Sequence, residues 1–267
     1  MRERLCSAEQ MDIIKTFECG QCFRWNADET GAYTGVAFGV AARLEVEDGQ
    51  VYITSDAPPE LWREYFDLDR DYAAISDGFT GDYLRTCTEY GRGIRILRQD
   101  SWEALCSFII SQCNNISRIK GIVERLCEGF GTPFEYEGRI FYSFPSAECL
   151  AALSPEELAP IRSGYRAEYI IAAARAVNSG ELDLKALTSC GYREAIKALR
   201  GIKGVGEKVA NCVVLFGLYH MEAFPIDVWM KRALKEHFPP DFNPESLGEY
   251  AGLAQQYIFY YARSMGR

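Results

Sequence analysis

The apolar residues of this chain change their spacing near residue 98, which requires a sheet-bearing unit followed by a helical one. Upstream, Leu44-Glu-Val-Glu and Gln-Val-Tyr-Ile-Thr54 alternate around Asp48-Gly49, a pattern that predicts a β-hairpin. Residues 33–42, rich in Gly, Val and aromatics, predict one further strand. Pro58-Pro59 closes this stretch, and 60–66 is expected to be helical. Downstream, Trp102, Leu105, Cys106, Ile109 and Ile110 fall at i, i+3, i+4, i+7 and i+8, one face of an α-helix. Ile116, Ile119, Val123, Leu126 and Cys127 repeat the spacing. More helices are expected near 168–177, 193–200, 207–218, 228–237 and 247–263. The expected class is therefore α+β: an antiparallel-sheet domain over 1–95, then a helical domain of roughly eight helices over 96–267.

Composition narrows the function classes. With 267 residues there is enough chain for a sizeable core. No apolar run approaches the ~18 residues of a membrane span, and the first residues lack the apolar stretch of a signal peptide. Only His220 and His237 are present, which excludes a multi-histidine metal site. The ten cysteines are scattered among apolar neighbours, as expected of reduced, core-filling thiols in a cytoplasmic protein. The net charge of −9 argues at first against a nucleic-acid partner. Yet residues 160–235 hold twelve Lys+Arg against seven Asp+Glu, and the remainder 17 against 31. The first stretch thus carries +5 and the remainder −14, so the positive charge is local.

Within that basic stretch lies Leu199-Arg-Gly-Ile-Lys-Gly-Val-Gly-Glu-Lys-Val-Ala210. A helix is expected to end at Gly201, a turn to carry Gly204, Val205 and Gly206, and a second helix to open at Glu207. The two turn glycines permit positive φ and close approach of a bulky group. Unpaired amides at the start of the second helix, with its dipole, would bind a phosphate through backbone alone. A bare Gly-x-Gly turn between helices is ordinary, but the full pattern is that of a helix–hairpin–helix, a sequence-independent binder of DNA backbone.

Lys208 falls in the first turn of the second helix. One reading is a lysine that simply touches phosphate; the other is an amine nucleophile for an electrophilic carbon. Asp227 lies nineteen residues on. The second helix leads away by about 17 Å, and the eight residues after it span at most about 28 Å, so Asp227 can return to Lys208. As the residue before a helix it is also an N-cap. An amine and a carboxylate beside a DNA phosphate site suit N-glycosidic cleavage: the carboxylate stabilises an oxocarbenium-like sugar, the amine captures C1′ as a Schiff base, and β-elimination expels the 3′ phosphate.

Seven ordered blocks then carry a resemblance: Cys19-Gly-Gln-Cys-Phe-Arg-Trp25, Ile96-Leu-Arg-Gln-Asp100, Phe108-Ile-Ile-Ser-Gln-Cys-Asn-Asn-Ile116, Gly164-Tyr-Arg-Ala167, the hairpin with Lys208, Pro225-Ile-Asp-Val228, and Tyr250-Ala-Gly-Leu-Ala-Gln255. Over nearly its whole length the chain resembles the 8-oxoguanine DNA glycosylase/AP lyases of the helix–hairpin–helix superfamily, in a bacterial member. The resemblance implies a TATA-binding-protein-like sheet domain packed on two helical lobes, with Lys208 as nucleophile and Asp227 as its electrostatic partner. It implies that the Gly20 carbonyl reads N7–H of the lesion, that Cys212 and Phe259 sandwich the flipped base, and that Gln255 reads its Watson–Crick edge. It also implies Tyr165 as a wedge in the duplex, Arg118 and Arg166 on the orphaned cytosine, and Asn115 on the DNA-facing loop. Carbonyls of Arg200, Ile202 and Val205 would hold a structural ion; no catalytic metal, cofactor or iron–sulfur cluster is expected. The partner is duplex DNA containing 8-oxoguanine, bound by a monomer.

Two positions depart from the family pattern. Cys113, preceded by Gln112, replaces an asparagine that fills the vacated space, which argues for a relaxed preference for cytosine opposite the lesion. Trp229 replaces a phosphate-binding histidine. Rival readings are an alkyladenine-type glycosylase, which generally lacks the lysine, an endonuclease III or adenine-mismatch type, whose cluster cysteines have no counterpart after Cys212, and a non-enzymatic DNA-binding module.

Overall fold

A computed structural model describes residues 1–266. The elements are β1 (Arg2–Ser7), α1 (Ile13–Glu18), β2 (Trp25–Ala27), β3 (Tyr33–Ala37), β4 (Val40–Glu47), β5 (Gln50–Ser55), α2 (Pro59–Tyr65), α3 (Tyr72–Asp77), α4 (Asp82–Gly91), α5 (Ser101–Ile110), α6 (Ile116–Phe130), β6 (Pro133–Tyr136) and β7 (Arg139–Tyr142). There follow α7 (Ala147–Ala151), α8 (Arg166–Asn178), α9 (Leu184–Leu187), α10 (Tyr192–Arg200), α11 (Glu207–Phe216), α12 (Val228–His237) and α13 (Ala251–Met265).

β1 to β5 form one antiparallel sheet in the order β1-β5-β4-β3-β2. Its register places Leu44 between Tyr33 and Ile53, all buried on one face. That face packs under α1 and α2, where Phe17 stacks on Trp25 with ring centroids 4.5 Å apart. The expected single strand over 33–42 is instead a second hairpin, β3–β4. Its turn is Phe38-Gly39, with φ of 52° and 75°, the same left-handed pair seen at Asp48-Gly49 (50° and 71°). Positive φ at both central residues gives the turn whose twist matches the flanking strands.

A second core gathers α3 to α13, including Leu84 and Cys87 of α4 and Ile94 and Ile96 beyond it. The expectation that everything after residue 98 is helical fails at β6–β7, a hairpin turning at Glu137-Gly138. It covers the outer face of the sheet, where Tyr136 packs with Val36 and Ala41 and its hydroxyl donates to the Thr54 carbonyl at 2.7 Å. The last helix begins at Ala251 rather than 247, because Gly248 (φ 72°, ψ −153°) breaks it from the 3-10 turn before it. Seven of the ten cysteines are buried, five of them in the helical core at Cys19, Cys87, Cys106, Cys127 and Cys212. Among the described residues no helix is long and apolar enough to cross a membrane.

The two cores are joined by a buried ion pair. Arg24, 7% exposed, lies 3.5 Å from Glu103 of α5 and donates to the Tyr142 carbonyl of β7. Burial pushes the Glu103 carboxyl up to about 7, against the pull of Arg24. The unfolded chain releases that proton near the usual glutamate value, so between these limits the folded state binds more protons, and stability falls as pH rises. We expect urea midpoints to drop between pH 5.5 and 7.5 in the wild type and to flatten over that range in Glu103→Gln. Equal slopes in the two proteins would refute the assignment.

Candidate active site

The hairpin turn lies between α10 and α11, and its two glycines serve different ends. Gly204 has φ of +85°, and a Cβ there would come within 2.2 Å of the Tyr169 ring. Only glycine fits such an approach. Gly206, with φ of −88°, has no left-handed strain; it caps α11 without a side chain and faces open space. The first-turn amides of α11 therefore stand without a side-chain cap, where a phosphate can take them.

Lys208 is half-buried one residue inside α11. Its Nζ donates to the Ser111 hydroxyl at 3.2 Å and lies 5.5 Å from the Phe108 ring centroid. Ser111 in turn donates to the Phe108 carbonyl at 2.8 Å, so the amine is held from the end of α5. Asp227 caps α12, accepting the Met230 amide at 2.9 Å. Both side chains face the same space: a cleft of about 820 Å³, whose walls include Asn115, Ile116, Trp229 and Lys231. A narrower recess of about 50 Å³ opens from it, shared by Gly20, Lys208, Cys212, Asp227, Gln255 and Phe259. All six residues assigned above to nucleophile, electrostatic partner and base contact thus meet in one place.

Each recess residue arrives by a different route. Gly20 (φ +81°) follows α1, and a Cβ on it would lie 3.4 Å from both Phe259 and Ile116. Cys212 lies one turn along α11 from Lys208; burial raises its thiol pKa, while the neighbouring Lys208 charge lowers it. Gln255 is 4% exposed, and its Oε1 meets no hydrogen-bond partner among the described residues. A buried acceptor left unpaired costs about 1–3 kcal/mol. A donor from an incoming group would recover it.

The DNA-facing positions divide. Tyr165 is 53% exposed, edge-on to Tyr169 at 5.6 Å. Asn115 caps α6 by accepting the Arg118 amide, and Arg118 itself is exposed. Arg166, carried over as a contact to the orphaned cytosine, is bonded to the protein's own backbone. It is 5% exposed and donates to the carbonyls of Gln112, Cys113 and Ser163, holding the loop between α5 and α6. That loop carries Cys113 in the left-handed region (φ 49°), and Gln112 Nε2 donates to the Gly204 carbonyl at 3.0 Å. The loop is thereby tied directly to the hairpin. Of the carbonyls expected to hold an ion, that of Ile202 already accepts the Val205 amide at 3.0 Å. Trp229 lies against Gly266 at the end of α13. Among the described residues no group of three His, Cys, Asp or Glu could hold a metal.

Several cations of the basic stretch are neutralised locally: Arg193, Arg200, Lys203 and Arg232 each pair with a carboxylate. Sequence reasoning missed Ser111, Lys231 and Arg263 as cleft residues. Spacing could have found two of them: Lys231 lies at i+4 from Asp227, and Arg263 at i+4 from Phe259 and i+8 from Gln255.

Comparison with known proteins places the chain in a family. Residues 4–105 match the profile of "8-oxoguanine DNA glycosylase, N-terminal domain", and 106–249 match "HhH-GPD superfamily base excision DNA repair protein". The chain is 36% identical to an N-glycosylase/DNA lyase of Saccharomyces cerevisiae, over 90% of this chain and 72% of that one. It superposes on a Clostridium acetobutylicum 8-oxoguanine glycosylase/lyase in complex with double-stranded DNA containing cytosine opposite 8-oxoguanine (TM-score 0.91, 36% identity, 100% and 99% coverage). It also superposes on MBOgg1 in complex with a low-affinity DNA ligand (TM-score 0.92, 41% identity, 100% and 96% coverage). With both domains matched in order and end to end, the chain belongs to the 8-oxoguanine DNA glycosylase family of helix–hairpin–helix base-excision repair proteins.

Proposed function

We propose that the protein flips 8-oxoguanine out of duplex DNA into the recess, cleaves its glycosidic bond with Lys208 and Asp227, and then breaks the strand as a lyase. The observation that carries this reading is the convergence of an amine, a carboxylate and a side-chain-free backbone segment beside an uncapped helix N-terminus.

The steps follow from the residues. The α11 amides and the hairpin grip the phosphate backbone, and the exposed Tyr165 ring wedges into the stack as the base leaves it. In the recess the base stacks between Cys212 and Phe259, and its N1–H and N2–H edge meets the unpartnered Gln255 oxygen. N7–H of 8-oxoguanine donates to the Gly20 carbonyl, whereas the N7 lone pair of guanine is repelled there. As the C1′–N9 bond lengthens, positive charge grows on the sugar beside the Asp227 carboxylate. The Lys208 nitrogen lone pair bonds to C1′, the base departs with the bonding pair of C1′–N9, and passage of an amine proton to the ring oxygen as the ring opens gives a Schiff base. Removal of a C2′ proton then expels the 3′ phosphate. This chemistry draws on an amine and a carboxylate and needs no redox or metal cofactor.

The test is a duplex containing 8-oxoguanine opposite cytosine, treated with protein and borohydride. A covalent protein–DNA adduct and a cleaved strand are the expected products; neither appearing would remove the proposal. Gly20→Ala tests lesion reading separately. The new methyl would occupy an unfavourable left-handed conformation, costing about 1–2 kcal/mol, and would project between Phe259 and Ile116 into the base's space. Excision of 8-oxoguanine should fall by at least ~tenfold more than cleavage of a preformed abasic site, which has no base to admit. Equal losses on the two substrates would count against Gly20 as the reader.

A further inference from the structure

Gly20 can discriminate only if its carbonyl is held in place, and the residues on its two sides are anchored from different parts of the molecule. On the C-terminal side, Gln21 is fully buried: its Nε2 donates to the Thr16 and Arg95 carbonyls at 2.9 and 2.7 Å, and its Oε1 accepts the Leu97 amide at 2.9 Å. The Gln21 carbonyl accepts Gln99 Nε2 at 2.8 Å. On the N-terminal side, the Cys19 carbonyl accepts Gln256 Nε2 at 2.7 Å, and the Glu18 carbonyl accepts Arg263 Nη2 at 2.8 Å. Both of these donors stand on α13.

α13 therefore has two tasks. Gln255 and Phe259 line the recess, while Gln256 (2% exposed) and Arg263 hold the loop that carries Gly20. The neighbouring glutamines divide the work: the oxygen of one is left without a partner, and the amide of the other is committed to Cys19. We infer that Gln256 is a positioning residue for lesion specificity. By fixing the Cys19–Gly20 peptide it keeps the Gly20 carbonyl at a set distance from the base that Gln255 and Phe259 hold on the same helix. The inference rests on the reading of Gly20 given above and adds to it a second residue that acts through Gly20.

The physical reason is the sharpness of the discrimination. Attraction to N7–H and repulsion of an N7 lone pair both depend on an oxygen held to within a few tenths of an ångström. Gly20 lacks a side chain and lies at φ +81°, so nothing of its own restrains it. Removal of the Gln256 donor frees one of its two flanking peptides.

Gln256→Met, of similar length but without a donor, tests this. Three quantities are measured: excision of 8-oxoguanine, excision of undamaged guanine, and cleavage of a preformed abasic site. The expected result is a fall in 8-oxoguanine excision about tenfold beyond any change in abasic cleavage, with a narrowed ratio of 8-oxoguanine to guanine excision. Loss of both activities in equal proportion, or an unchanged 8-oxoguanine to guanine ratio, would overturn the inference. Should Gln256→Met not fold, Gln256→Asn keeps the amide but withdraws it by one methylene, and the same split is expected on a smaller scale. Wild-type protein inactive on 8-oxoguanine would instead refute the proposed activity, so the two failures are distinguishable.

Discussion

Lys208→Gln should yield no borohydride adduct and lose at least ~10³-fold in 8-oxoguanine excision, while still binding the lesion duplex. Glutamine is close to lysine in reach and keeps an N–H for the Ser111 hydroxyl, so the substitution removes the nucleophile and little else. Binding survives because the phosphate contacts fall to the α11 amides and the hairpin rather than to this side chain. Folding survives as well: Lys208 is half-buried and its hydrogen bonds go to the Ser111 hydroxyl and the Cys212 thiol, and loss at such a site costs about 1 kcal/mol. The plainer role for Lys208, contact with phosphate, predicts the opposite pattern. It would weaken binding several-fold with a steeper response to salt, and it would leave an adduct formed through another amine. Trapping and a binding isotherm at two salt concentrations, measured on the same variant, separate these outcomes.

How much of this was legible in the sequence depends on the distance over which each residue acts. The Asp48-Gly49 hairpin was readable because aspartate followed by glycine accepts two positive φ values readily. Phe38-Gly39 and Glu137-Gly138 take the same backbone path with a first residue that carries no such preference, so β3–β4 was read as one strand and β6–β7 was missed. Tertiary packing decides those turns: Tyr136 against Val36 and Ala41 holds the second of them on the sheet. α12 was readable because Pro225, Asp227 and the periodic run after them are all local signals.

The site shows the same division. Lys208 and Asp227 could be joined by a length argument, because only one helix and one return loop lie between them. Gly20, Gln255 and Phe259 came only through resemblance, since no local pattern says that residue 20 meets residue 259. Gln256 and Arg263 could not be read as supports of the Gly20 loop, although helical spacing puts Arg263 on the face of Gln255 and Phe259. Their donors matter because of carbonyls at Cys19 and Glu18, 237 and 245 positions away. The backbone partners of Arg166 were hidden for a related reason. A loop arginine beside an exposed tyrosine looks free, and only the folded chain shows its guanidinium committed to the carbonyls of Gln112, Cys113 and Ser163.

Asp227 holds two roles that a pair of substitutions can separate. As N-cap of α12 it accepts the Met230 amide at 2.9 Å, a bond that asparagine replaces almost without loss and alanine does not. As a carboxylate in the recess it supplies the negative charge beside which the sugar becomes cationic. Asp227→Asn should therefore melt like the wild type, yet excise 8-oxoguanine about 10²- to 10³-fold more slowly, the usual scale for removing one preorganised electrostatic group. Asp227→Ala should lose the activity and, in addition, about 1 kcal/mol of stability. The lyase step offers a finer check. A preformed abasic site reaches its Schiff base from an aldehyde, without passing through the departing-base transition state, so its cleavage should fall less in Asp227→Asn than excision does. If Asn and Ala instead lost activity only in proportion to lost stability, Asp227 would be a cap alone, and the charge partner of Lys208 would have to be sought elsewhere in the cleft.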